Sequence, residues 1–177
     1  MIMLDNPQRY GQVSRILHWG MALILFWQFF TVGFRVLMED SAIDNFMWST
    51  HRPLGAILLL LVAIRIVWAL FNRTRRPAAV STAAKLGHIA LYGMLVLIPA
   101  LGLLRHYGAG RPFDVFGIPL FSGFEGRIEW LVYPGNLLHS SLGWTLMAMV
   151  LGHMAMVVWH RKRAGQVDVL PRMWGRN

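Results

Sequence analysis

Two histidines, His139 and His153, stand fourteen positions apart inside one apolar run, Leu137 to Trp159. On a helix, fourteen steps of about 1.5 Å make about 21 Å, and fourteen rotations of about 100° return the second side chain to within about 40° of the first. Two imidazoles therefore face the same way at two depths. An ionisable or ligating side chain at such depth is costly without a partner, so each ring calls for one elsewhere in the chain.

The elements that must position these rings follow from composition. The chain of 177 residues is 56% hydrophobic and only 14% charged, against about 25% charged in soluble domains. Its apolar segments run roughly from Ile16 to Phe34, Pro53 to Phe71, Leu86 to Leu104 and Leu137 to Trp159. Each approaches or exceeds the ~20 residues that cross a bilayer as a helix. The expected fold is all-α: one integral membrane domain over 1–177, a transmembrane up-down four-helix bundle. The first run is longer than a signal-peptide core and lacks a clear small-x-small cleavage site, so it reads as a retained helix.

Seventeen basic residues oppose eight acids, a formal charge of +9. They fall between the apolar runs rather than along one basic face, which argues against a nucleic-acid partner and for topology. Eleven lie in the amino-terminal segment, the second connection and the tail (Arg9, Arg15, Arg73, Arg75, Arg76, Lys85, Arg161, Lys162, Arg163, Arg172, Arg176). The positive-inside rule then puts both termini in the cytoplasm. The outer connection, 105–136, is rich in Gly, Pro and aromatics and too long for a simple turn, as lids and docking surfaces are. A short interfacial helix around Phe124 to Val132 would set Trp130 and Tyr133 at headgroup depth.

With this topology, position along each helix converts into depth. His51 and His139 both open descending helices and share the outer level; His18 starts the ascending first helix and shares the inner level with His153. A pair of neutral imidazoles facing each other across a bundle core can ligate a haem iron from both sides, and two such pairs make a two-haem path across the membrane. The alternative is that each histidine only hydrogen-bonds within the core. Zinc is disfavoured, because no carboxylate lies in the apolar runs and no H-E-x-x-H spacing occurs. The chain has no cysteine, so any haem is held non-covalently.

Smaller features agree. Gly55 and Gly143 each follow an outer histidine by four, leaving room on the next turn for a flat ring, or simply for close helix packing. Arg65 follows His51 by fourteen and is expected at a propionate of the inner haem; the alternative is snorkelling to the cytoplasmic interface.

The segments NPQRYGQVSRILHW, THRPLGAILLLLVAIRIVWAL, GHIALYGMLVLIPALGLL and HSSLGWTLMAMVLGHMAMVVWH resemble the bacterial cytochrome b561 family over nearly the whole chain. That resemblance implies a di-haem b protein of the bacterial inner membrane, with His18, His51, His139 and His153 as axial ligands to two haem b groups. It further implies oxidation of superoxide at the periplasmic haem and reduction of ubiquinone near the cytoplasmic one, that is, a superoxide:quinone oxidoreductase. Quinone reduction needs protons, which makes His88 and His160 candidate quinone or proton-relay residues, or plain interfacial histidines. His106 reads as interfacial.

A positive approach to the outer haem would favour superoxide. In the sequence, however, Arg105, Arg111 and Arg127 are balanced by Asp114, Glu125 and Glu129. Two other functions stay open: an electron-relay subunit for a periplasmic partner of the hydrogenase or dehydrogenase type, and a redox-inert membrane scaffold or transporter.

Overall fold

The computed structural model describes residues 3–174; Arg176 of the basic tail lies outside them. Four helices dominate: α1 (Gln12–Leu37), α2 (Ala42–Phe71), α3 (Thr82–Gly108) and α4 (Glu129–Lys162). All four are long and apolar enough to cross a membrane. α1 packs along α2, α2 against α3, and α3 along α4. Much of the apolar surface faces outward, including Leu23, Phe26, Leu60, Leu97, Leu151 and Met154. A bilayer, as solvent, supplies the apolar contact that water would deny these side chains.

α2 and α3 begin ahead of their apolar stretches, where polar caps start them. The Ser41 hydroxyl accepts the Asp44 amide at 3.1 Å and starts α2 eleven residues before Pro53, and Ser81 does the same for Ala84 at 3.0 Å in α3. Pro53 sits inside α2, where it removes one ladder bond, from the Ser49 carbonyl, without ending the helix. The buried Asp44 carboxylate accepts from the Asp40 amide at 3.1 Å and pairs with Arg35, tying the α1–α2 connection at the outer end. At the inner end, buried Asp5 accepts the Gly11 amide at 2.8 Å and pairs with Arg76 at 3.3 Å.

The stretch 105–136 is not one loop. α3 continues to Gly108 and α4 begins at Glu129, so residues 129–132 form the first turn of α4 rather than a separate interfacial helix. Pro134 and Gly135 resemble helix breakers but have another use: a Cβ at Gly135 would stand 2.8 Å from the Leu101 carbonyl oxygen, so α3 and α4 meet there backbone to backbone. Between the helices, β1 (Phe113–Val115) and β2 (Ile118–Phe121) form an antiparallel hairpin. Its two-residue turn, Phe116-Gly117, has positive φ at both positions, the mirror-image geometry that suits strand twist.

The described core is small. Met21, Leu58 and Val62 are buried together, with Ile24, Leu25, Leu95, Val96 and Tyr92 packed around them. These residues lie midway along α1, α2 and α3, between the outer and inner histidines in sequence, and separate two polar regions with an apolar layer.

Candidate functional site

The structure brings the four histidines together in the two pairs expected from depth. The rings of His51 on α2 and His139 on α4 have centroids 6.2 Å apart at an interplanar angle of 75°. Those of His18 on α1 and His153 on α4 are 6.5 Å apart, also at 75°. Two imidazoles that bind one metal from opposite sides through bonds of about 2 Å have centroids roughly 6.3 Å apart. Both pairs match that spacing. Two rings alone make an incomplete coordination sphere, so the pairs suit a metal that arrives with its own equatorial donors, as haem iron does.

At the outer pair, neighbouring groups hold both rings with the far nitrogen free. His139 donates from Nδ1 to the Ile98 carbonyl at 2.9 Å. Gly102 makes this approach possible, because a Cβ there would lie 2.9 Å from His139 Cε1 and 3.2 Å from Nδ1. The Thr31 hydroxyl donates to the Gln28 carbonyl at 2.7 Å, which leaves its oxygen to accept from His51 Nδ1 at 3.0 Å. Gln28 in turn donates from Nε2 to the His51 carbonyl at 2.8 Å. Each ring thus presents Nε2 with its lone pair, the state that ligates, and its partner on Nδ1 fixes the orientation.

A cavity of about 710 Å³ reaches both outer histidines. That is within the roughly 300–1,000 Å³ of sites for drug-sized and cofactor-sized ligands. Gly55 and Gly143 line it, and a Cβ at Gly143 would meet nothing within 4 Å, so the open turn expected beside His139 is open space. Arg35, Arg52, Arg105, Arg111 and Arg127 also line the cavity, and no carboxylate among the described residues does. This changes the balance read from the sequence. Glu129 does pair with Arg127, at 2.8 Å, but Asp114 turns into the hairpin to accept the Gly117 amide at 2.8 Å.

His106, at the outer end of α3, is buried, with 9% of its surface exposed. Its Nε2 bonds the Pro112 carbonyl at 3.0 Å, its Nδ1 faces Arg52 Nη1 at 3.4 Å, and its ring packs on Phe113 and Phe121 of the hairpin. It straps the hairpin over the outer end of the bundle.

The inner pair has different company. Arg65 Nη1 donates to His18 Nδ1 at 2.8 Å, and Arg65 Nε donates to the Tyr92 hydroxyl at 2.8 Å. The guanidinium is therefore inside the bundle beside a ring rather than snorkelling outward. His88 joins this group: its ring centroid is 5.4 Å from that of His153, and its Nδ1 donates to the Ala84 carbonyl at 2.6 Å, leaving Nε2 free. His160 packs edge-on against Trp159, centroids 5.0 Å apart, and its buried Nδ1 has no hydrogen-bond partner.

Sequence reasoning missed Thr31, Gln28, Gly102 and Tyr92. A signal existed for two of them: Gln28 and Thr31 are polar residues three apart in an otherwise apolar span, and polar groups at that depth are there to bond something.

A membrane-spanning bundle that aligns two pairs of imidazoles at two depths is the architecture of a transmembrane b-type cytochrome. The prokaryotic cytochrome b561 family matches residues 9–176, and the chain belongs to that family. It is similar to cytochrome b561 homolog 2 of Escherichia coli (strain K12), with 26% identity, covering 100% of this chain and 97% of that protein. It is thus a multi-pass protein of the bacterial inner membrane, from a family of haem b electron-transfer proteins.

Proposed function

We propose that the protein holds two haem b groups, one between His51 and His139 and one between His18 and His153, and moves electrons from periplasmic superoxide to ubiquinone. Both termini are cytoplasmic in this reading, which puts the outer pair at the periplasmic side. Bound haem iron supplies reversible one-electron storage. Two superoxide ions release two electrons and two molecules of oxygen; ubiquinone takes up those electrons with two protons.

The residues divide this work. His51 and His139 are oriented by Thr31 and the Ile98 carbonyl, which keeps both Nε2 atoms available. The observation that carries the choice of donor is the outer cavity, lined by five arginines and by no carboxylate among the described residues; Arg35 and Arg127 are paired with Asp44 and Glu129, which leaves Arg52, Arg105 and Arg111 outside those ion pairs. Such a rim raises the local concentration of a small anion and speeds its arrival. At the other end, His88 with its free Nε2 and His160 with its unpartnered Nδ1 are imidazoles able to pass protons to a quinone. Mixing the purified oxidised protein with a superoxide source tests the claim: fast reduction visible in the haem spectrum is expected, and its absence sinks the superoxide reading.

A second reading, an electron relay for a periplasmic partner of the hydrogenase or dehydrogenase type, is favoured by the hairpin. It exposes Phe116, Ile118 and Leu120 beside the outer site, an apolar tip suited to docking. Co-purification of a redox protein that is lost on Phe116→Ser would favour it.

A further inference from the structure

Arg65 is a buried cation without a buried anion. It is 8% exposed, six residues before the end of an apolar helix, and none of the ion pairs among the described residues includes it. What it has instead is the Tyr92 hydroxyl and the ring of His18. A guanidinium stays charged in any protein environment. In a low-dielectric interior its field on a neighbouring centre is several times stronger than at a water-facing surface.

The cations at the outer end stand differently. Arg52, Arg105, Arg111 and Arg127 are exposed, and Arg35 and Arg127 are paired with Asp44 and Glu129. Water and salt screen such charges. Moreover, His51 and His139 both give their Nδ1 proton to an oxygen, which makes them more electron-rich ligands and favours the oxidised metal.

We propose that Arg65 is a tuning residue: it raises the reduction potential of the haem held by His18 and His153 above that of the outer haem, and so sets electron flow from the outer site to the inner. This rests on the reading of two bis-histidine haem sites. The step is one electron leaving the outer site, which is oxidised by one, and arriving at the inner site, which is reduced by one; no bond forms or breaks. Removing an electron from the inner site adds positive charge beside the Arg65 cation, and that is what disfavours its oxidised state. A neutral His18 ligating through Nε2 would carry a proton on Nδ1 and could no longer accept from Arg65 there; the Tyr92 hydroxyl, which accepts from Arg65 Nε, would then keep the guanidinium in the site. Pairing with a haem carboxylate leaves the sign unchanged, because loss of Arg65 would then leave that carboxylate uncompensated.

Potentiometric titration of the purified full-length protein in nanodiscs, followed by the haem spectrum, tests the proposal. His139→Ala identifies the outer wave by its loss. In the wild type the inner wave is expected at the higher potential. In Arg65→Gln it moves down, with at least a tenfold fall in the reduced-to-oxidised ratio at fixed ambient potential, about 59 mV for one electron. The outer wave stays in place, and Arg65→Lys restores most of the shift. Tyr92→Phe, which keeps the cation but frees it, moves the inner wave down by less. An inner wave below the outer in the wild type, or one unmoved by Arg65→Gln with both haems bound, overturns the proposal. If Arg65→Gln loses the inner haem, an unmoved inner wave in Tyr92→Phe overturns it instead. A wild-type protein without two haems refutes the underlying site reading and not the role of Arg65.

Discussion

The outer and inner histidine pairs share a spacing, 6.2 and 6.5 Å between ring centroids, and the same interplanar angle, yet their surroundings are opposite. The outer rings lean on neutral oxygens and open on a cavity with an exposed cationic rim. The inner pair lies beside a buried guanidinium and a third imidazole. On the proposed reading, the histidine pair would define what is held, while the groups one bond further out would define which way charge moves and what can reach each end.

Emptying one pair at a time is the strongest way to break this comparison. His51→Ala and His153→Ala should each lose about half of the bound haem, from opposite ends, as measured by haem content per chain; loss of both haems from a folded single variant would mean the sites are not independent. Gly102→Leu comes next. It puts side-chain atoms where the His139 ring lies, an overpacking that costs about 1–3 kcal/mol, and should lower outer occupancy while the inner spectrum persists.

A more conservative change sharpens the contrast between neutral and cationic partners. Thr31→Val removes the acceptor for His51 Nδ1 and leaves a part-buried donor unsatisfied. Loss of such an outer partner costs about 10–100-fold in metal-site affinity, so haem titration should show weaker binding at the outer site alone. The smallest effect is expected at the rim. Arg52→Gln with Arg105→Gln should slow superoxide-driven reduction by several-fold at low ionic strength and much less in high salt, because the exposed charges act through a screened field. A salt-independent loss would point to direct contact instead.

Much of this was legible in the sequence. Helix rise and rotation are fixed, so fourteen-residue intervals convert into depth, and depth alone pairs His51 with His139 and His18 with His153. Arg65 was placed at the inner level for the same reason, but its contacts with His18 and Tyr92 depend on how α1 and α3 pack on α2, which no single-helix period encodes. Thr31 and the Ile98 carbonyl were hidden likewise, as neighbours across helices. The start of α4 at Glu129 was obscured by Pro134 and Gly135, whose local preference reads as a turn and whose tertiary role is close contact with α3. In the sequence the acids of the outer connection cancel its arginines because sequence counts charge without direction; in the structure Asp114 turns into the hairpin and does not line the cavity.

Haem content per chain tests the central claim most directly. Pyridine haemochrome absorbance set against quantitative protein determination on the purified wild type should give two haem b per polypeptide. A value of one or none, in protein shown to be folded and supplied with haem, would contradict the assignment of both histidine pairs.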